Sequence, residues 1–144
     1  AELLILKIAA RLHKSGLFIN NQAYHKHSCY IIQNTEIPGI SAEQRRIAAL
    51  VARYHRKSFP KMLHPEYAVL SVCDRELVNK LAAILRIACA LGAMAAAPEN
   101  LTVKLEPSRV VIRLGDDITY FPESMTDVDT AYFRSVYACR IIFS

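Results

Sequence analysis

Histidines and basic side chains are concentrated in residues 13–57, where they form two short blocks. The blocks are YHKHS, residues 24–28, and RYHRK, residues 53–57. Arginine makes bidentate contacts to phosphate oxygens, lysine supplies a point charge, and imidazole titrates near neutral pH. These residue types indicate a site for a phosphate-bearing anion. The alternative is that both blocks are solvated helix ends, whose cations only complement a helix dipole.

Hydrophobic periodicity predicts that helices position both blocks. The predicted helices cover residues 2–14, 24–34, 41–57 and 73–96. Loops are expected at 34–39 and 58–71. Ser41 and Gln44 have the spacing of a capping box, which marks the start of the third helix. The first block therefore opens one helix, where free backbone amides favour anions, and the second block ends the next helix.

After residue 100 the hydrophobic period changes to two, which is typical of strands. Alternation on either side of Pro107 and Ser108 predicts a hairpin. Further predicted features are a helix at 127–138 capped by Thr126, a strand at 140–143, a candidate edge strand at 118–121, and solvated turn acids at Asp116 and Asp117. The C-terminal pattern is therefore ββαβ.

Together these patterns predict an α+β fold with two parts. Residues 1–97 are expected to form a mostly helical domain, and residues 98–144 a small ββαβ subdomain packed on the helices. Residues 1–97 hold 13 Lys and Arg against 6 Asp and Glu, a net of +7, whereas residues 98–144 hold 5 against 7, a net of −2. The basic first part indicates a polyanionic partner, with a solvated helix face as the alternative.

Several classes of protein are disfavoured by the pattern. Arg86 interrupts the most apolar stretch, residues 77–97, so no membrane span is expected. The four cysteines are scattered without a CxxC pair, which favours reduced thiols and a cytoplasmic location. The first residues resemble a core helix rather than a signal peptide, and we expect the chain to begin inside a longer protein. Neither a nucleotide-binding loop nor a nucleophile elbow occurs.

Three blocks of the sequence resemble one family. They are LHKSG at residues 12–16, YHKHSCYIIQN at 24–34 and ARYHRK at 52–57. These blocks are similar to the helical HD-like domain near the C-terminus of the exopolyphosphatase and guanosine pentaphosphate phosphohydrolase (Ppx/GppA) family. The resemblance implies that ligand binding falls on the matched motif positions. Those positions are His25, Lys26, His27, Arg53, His55, Arg56 and Lys57.

His13 lies where the HD superfamily has its metal-binding His-Asp doublet. Here Lys14 follows the histidine, and Cys89 stands at the place of the distant aspartate. An ammonium group repels a cation, and two carboxylate ligands are missing. We therefore expect no metal at these degenerate positions, no catalytic residue and no cofactor in this part of the protein. The alternative is an HD-type metal-dependent phosphohydrolase with an altered metal site.

In this bacterial family the catalytic part is an N-terminal pair of actin-like domains that bind Mg²⁺. The resemblance implies an accessory C-terminal half that holds inorganic polyphosphate or a (p)ppGpp-like polyanion, adjoins the actin-like domains and contributes to a homodimer. The parent protein would hydrolyse phosphoanhydrides, and this part alone would be inactive. A nucleic-acid-binding module is a rival without a supporting motif. Binding should weaken with salt. Because imidazoles have an unperturbed pKa near 6.5, binding should also tighten between about pH 7.5 and pH 5.5 as they gain protons beside the anion.

Overall fold

The computed structural model describes residues 1–93, 98–115 and 127–144. Internal contacts divide the chain into two compact units, residues 1–85 and 86–144. We call the first the helical unit and the second the mixed unit. The helices are α1 (Glu2–Leu12), α2 (Tyr24–Asn34), α3 (Ala42–Arg53), α4 (Pro65–Ala68), α5 (Val72–Ala93) and α6 (Asp127–Tyr137). The strands are β1 (Thr102–Leu105), β2 (Arg109–Arg113) and β3 (Arg140–Phe143).

The helix starts follow local capping chemistry. The capping box before α3 is confirmed, because the Ser41 hydroxyl accepts from the Gln44 amide at 3.1 Å and the Gln44 side chain accepts from the Ser41 amide at 2.9 Å. At α5 the Ser71 hydroxyl accepts from the Asp74 amide at 3.1 Å. Asp74 is therefore an acid of the first turn, and Ser71 is the capping residue.

Two predicted helix boundaries and one predicted loop differ from the structure. α1 ends at Leu12 and α3 at Arg53, whereas the predicted helices extend to residues 14 and 57. Lys57 has a φ of +60°, which a right-handed helix cannot contain. The predicted loop at 58–71 contains the four-residue helix α4. A single turn is too short to produce a hydrophobic period, so the pattern did not reveal it.

Helix α3 forms the centre of the helical unit. Six consecutive residues, Ile47–Ala52, are buried, although one face of an amphipathic helix includes only about half of such a run. α3 is therefore covered on more than one side, and both α1 and α2 pack on it. This packing holds the end of α3 next to the start of α2.

Gly16 allows a close approach between two segments of the helical unit. It lies in a short 3-10 helix, Ser15–Phe18, that packs against α2. A Cβ atom on Gly16 would overlap the Tyr24 carbonyl oxygen and lie 2.5 Å from the Ser28 amide nitrogen. The missing side chain of Gly16 is therefore needed for contact with α2.

The mixed unit contains a three-stranded sheet with the order β1-β2-β3. β1 and β2 are antiparallel, which confirms the hairpin, and β2 and β3 are parallel and connected through α6. The α+β fold class and the ββαβ order are thus confirmed. The domain boundary after residue 97 stays a prediction, because residues 94–97 lie outside the described residues. Also outside them are Asp116, Asp117, the candidate strand at 118–121 and the capping residue Thr126.

Arg86, whose charge interrupts the apolar stretch of α5, forms an ion pair within the mixed unit. Its guanidinium donates to an Asp129 carboxylate oxygen at 3.2 Å and lies 5.7 Å from the centre of the Tyr132 ring. The Arg86 side chain is only 4% exposed. The pair satisfies a charge that burial alone would penalise. In the described part of the chain, no helix is both long and apolar enough to cross a membrane.

Candidate anion-binding site

The two basic blocks meet where α2 begins and α3 ends. The Tyr24 hydroxyl lies 3.0 Å from the Nε2 atom of His55, although 31 positions separate the two residues in sequence. The guanidinium carbon of Arg56 lies 4.5 Å from the centre of the Tyr24 ring, within the range of a cation–π contact. Tyr24 therefore connects the blocks, a role that the sequence patterns did not indicate.

His55 is a supporting residue of this junction. It is buried, with a relative exposure of 5%, and its Nδ1 atom bonds the Ala52 carbonyl oxygen. Because a carbonyl can only accept, Nδ1 carries the proton and Nε2 accepts from the Tyr24 hydroxyl. The His13 ring packs edge-on against His55, with the ring centres 4.8 Å apart. Both nitrogens of His55 are thus occupied within the protein.

His13 and Ser28 hold the start of α2 in place. His13 follows α1 directly and donates through Nδ1 to the Ala10 carbonyl oxygen at 2.6 Å. The buried Ser28 hydroxyl donates to the His13 carbonyl oxygen at 2.6 Å and accepts from the Gly16 amide at 2.8 Å. Sequence reasoning missed Ser28, whose position in the HKHS block was the available signal.

His25 occupies the second position of α2 and is buried, with 7% relative exposure. Its Nδ1 atom has no hydrogen-bond partner among the described residues. Burial, which is the largest cause, and the fields of four nearby cations together lower the pKa of His25 to about 4. Those cations are Arg56, Lys26, Arg53 and Lys57. The imidazole therefore lies where the positive charges of both blocks converge.

Two of the histidines do not have the ordinary pKa from which the expected pH window was derived, and the window itself stays a prediction. Burial, which is the largest cause, lowers the pKa of His55 to about 4 as well, although the Ala52 hydrogen bond acts in the opposite direction. In the free protein His25 and His55 are therefore neutral between pH 7.5 and pH 5.5. Over this range these two imidazoles add no positive charge to the site, and the cations that act on His25 are lysines and arginines.

The predicted binding residues differ in their availability. Lys26 and Lys57 are exposed, while His27 and Arg56 are half-buried. Arg53 donates to a Glu66 carboxylate oxygen at 3.2 Å, so part of its charge is neutralised. No side chain caps the first turn of α2, whose N-terminus carries a partial positive charge. This arrangement suits an anion that contacts Arg56, the two lysines and the start of α2 together.

The degenerate metal positions do not fit a divalent cation. Lys14 is exposed at the start of the 3-10 helix, and its ammonium group cannot be a ligand. Cys89 lies half-buried on α5 in the mixed unit. Within the ranges that the structure describes, no three or more His, Cys, Asp or Glu residues form a group suited to a metal ion. The absence of bound metal in solution stays a prediction.

Comparison with known proteins points to the family that the motifs resemble. Residues 1–114 match the family described as Ppx/GppA phosphatase, domain III. A guanosine-5'-triphosphate,3'-diphosphate pyrophosphatase of Pseudoalteromonas translucida is 38% identical over 87 residues, which are 60% of this chain and 17% of that protein. The protein of the same name from Vibrio campbellii is 30% identical over 115 residues, which are 80% of this chain and 21% of that protein.

The matched residues, 1–114, include both basic blocks and the β1–β2 hairpin. The chain spans about a fifth of the length of these relatives, so their names describe much longer proteins. The chain belongs to the Ppx/GppA phosphatase family and matches its domain III.

Proposed function

We propose that the helical unit binds a polyphosphate-like anion and acts as an accessory part of a phosphoanhydride hydrolase. The relatives named as guanosine-5'-triphosphate,3'-diphosphate pyrophosphatases support a ligand with several linked phosphates. Inorganic polyphosphate and a (p)ppGpp-like nucleotide both have this chemistry. In the proposal the catalytic step and its Mg²⁺ belong to actin-like domains elsewhere in the parent protein, which is cytoplasmic and homodimeric.

One observation carries this proposal. Four cations, from the start of α2 and from the end of α3 with the turn after it, act together on His25: Lys26, Arg53, Arg56 and Lys57. Cations at the end of α3 alone would be explained by the helix dipole. That explanation does not apply to Lys26, which lies in the first turn of α2, where a positive side chain opposes the dipole. A bound polyanion would offset this unfavourable placement.

The contacts divide the predicted residues into two roles. Arg56, Lys26 and Lys57 would contact phosphate oxygens, and the unpartnered Nδ1 atom of the buried His25 is a further polar group that a ligand oxygen or its water could satisfy. His55 acts through Tyr24, because both of its ring nitrogens are occupied within the protein. In the proposal His55 is a positioning residue and not a direct ligand.

Titration of the 144-residue chain with long-chain polyphosphate at two salt concentrations tests the proposal. Replacing Arg56 or Lys26 by Gln should weaken binding and reduce the slope of log affinity against log salt by about one unit each. Arg46→Gln and Lys7→Gln are matched controls, since both side chains are exposed on α3 and α1 outside the blocks. Equal slopes in all four variants would show that the blocks are solvated helix ends.

The two rival functions predict different results in the same experiments. An active HD-type phosphohydrolase would release phosphate from polyphosphate or guanosine pentaphosphate, with a loss of turnover when His13 is changed. A nucleic-acid-binding module would prefer single-stranded RNA to polyphosphate at matched salt. We expect neither, because Lys14 replaces a metal ligand and the sequence contains no nucleic-acid-binding motif.

A further inference from the structure

The mixed unit contains a second cluster of cations, to which neither the proposed function nor the sequence patterns assign a role. A cavity of about 320 Å³ is formed between the β1–β2 turn, the last turns of α6 and strand β3. The described residues that line it are Ser108, Arg109, Arg134, Ala138, Arg140 and Ile142. No acidic side chain is among them.

The fold places three arginines from separate elements at this cavity. Arg109 and Arg140 are register partners on the parallel strands β2 and β3, so their side chains are adjacent on one face of the sheet. Ala138 ends α6 with a φ of +55°, and its amide donates to the Arg134 carbonyl oxygen at 2.8 Å. This turn reverses the chain between α6 and β3, which brings Arg134 and Arg140 to the same cavity.

Three of the described lining residues are arginines, although the 47 residues from 98 onward carry a net charge of −2. Glu106 pairs with Arg109 and also lies 3.8 Å from the Lys104 ammonium, so one carboxylate serves two cations. Directly paired like charges on neighbouring strands are destabilising. Arg134 also complements the C-terminal dipole of α6, but that effect explains only one of the three arginines. An anion in the cavity would relieve the remaining repulsion.

We propose that this cavity binds a small phosphate-bearing anion of about diphosphate size. Guanidinium groups form paired hydrogen bonds to phosphate oxygens, and the Ser108 hydroxyl adds a neutral donor. The cavity volume is at the lower end of the range for small-molecule sites. Its described lining has no aromatic ring on which a nucleobase could stack. The site uses residues and a unit other than those of the polyphosphate proposal, and the two proposals stand independently.

Titration of the full ¹⁵N-labelled chain with pyrophosphate tests this site directly. We expect saturable shifts of the Arg134 and Arg140 side-chain Nε–H signals and of the amides at 108–109 and 138–142. Arg134→Gln and Arg140→Gln should each weaken pyrophosphate binding about tenfold, since each removes a charge-assisted hydrogen-bonding pair. Arg113→Gln is the matched control, because this exposed arginine lies at the other end of β2 and does not line the cavity.

Three outcomes would overturn the proposal. The first is that acetate or sodium chloride at the same ionic strength produces shifts equal to those from pyrophosphate. The second is that Arg113→Gln weakens pyrophosphate binding as much as the cavity variants do. The third is that Arg56→Gln loses pyrophosphate binding while Arg134→Gln retains it. The last result would assign pyrophosphate to the helical unit. Arg134 lies on an exposed part of α6, so its variant decides the matter even if Arg140→Gln disturbs β3.

Discussion

Tyr24 joins the two basic blocks through both of its chemical groups. Its hydroxyl donates to His55, and its ring lies beside the Arg56 guanidinium. A phenol at this position therefore contacts one cation and donates a hydrogen bond to one imidazole, whose tautomer is fixed by the Ala52 carbonyl. Tyr24→Phe would keep the ring contact and remove the hydrogen bond, so it separates the positioning role from the cation–π contact.

The buried histidines predict a stability that depends on pH. The folded protein keeps His25 and His55 neutral with pKa values of about 4, whereas imidazoles in the unfolded chain bind protons below about 6.5. The unfolded state therefore holds more protons between about pH 4 and pH 6.5. The free energy of unfolding should fall, by an amount on the order of a few kcal/mol, as the pH is lowered through this window.

Urea unfolding of the wild type and His25→Asn at pH 8, 7 and 5 checks this prediction. In the wild type, these two histidines should not change the free energy of unfolding between pH 8 and pH 7. The wild type should be less stable at pH 5. His25→Asn should lose less between pH 7 and pH 5, because it lacks one of the two titrating groups. An equal loss in both proteins would show that other groups cause the acid sensitivity.

The Arg86–Asp129 pair predicts a large effect from one carboxylate. Asp129→Asn removes the carboxylate that accepts from the Arg86 guanidinium, which is 4% exposed. Removing one member of a buried ion pair is strongly destabilising, and we expect a loss of about 3 kcal/mol in the free energy of unfolding. Asp127→Asn is the control, since Asp127 is exposed in the first turn of the same helix. Similar urea midpoints for the two variants would contradict a structural role for the pair.

At the scale of elements, the site depends on how closely the 3-10 helix approaches α2. Gly16 is the point of contact, and Ser28 bonds to both Gly16 and the His13 backbone there. A side chain at residue 16 would push the first turn of α2 away and displace Tyr24 from His55. The geometry of the candidate site is thus set by a glycine that carries no chemistry of its own.

Gly16→Ala should therefore be strongly destabilising. The added Cβ would overlap backbone atoms of α2, which cannot move aside as a flexible side chain can, and we expect a loss of about 3 kcal/mol or more. Gly92→Ala provides the opposite control, because nothing lies within 4 Å of the added Cβ and alanine favours the helix by about 1 kcal/mol. Thermal unfolding of both variants gives the comparison. Equal melting temperatures of the two variants would mean that the 3-10 helix and α2 do not approach each other closely at Gly16.

For the whole molecule, we predict no stoichiometric Mn²⁺, Fe or Zn²⁺ and no release of phosphate from polyphosphate. Lys14 and Cys89 stand where an HD metal site has carboxylates, and thiol or ammonium groups do not replace them for a hard cation. Elemental analysis after mild purification, with His13→Ala as the comparison, measures the first quantity. One equivalent of metal that disappears in His13→Ala, or turnover that depends on His25, would establish the HD-type hydrolase instead.

Local patterns in the sequence were sufficient for much of the fold. The helical period up to residue 97, the capping box at Ser41 and the alternation around Pro107 each depend on neighbours a few residues apart. The same is true of the basic blocks, whose spacing suggested an anion site and carried the family resemblance. Such features can be derived from sequence because helix and strand periods place side chains on predictable faces.

Tertiary packing alone decided which of these residues are available for chemistry. The burial that lowers the pKa of His25 and His55 comes from α1 and α2 packing on α3, and no local pattern contains it. The Tyr24–His55 bond and the meeting of Arg109, Arg134 and Arg140 likewise join segments far apart in sequence. Desolvation and long-range contact depend on how whole elements pack, so the charged residues were visible in the sequence but their arrangement required the fold.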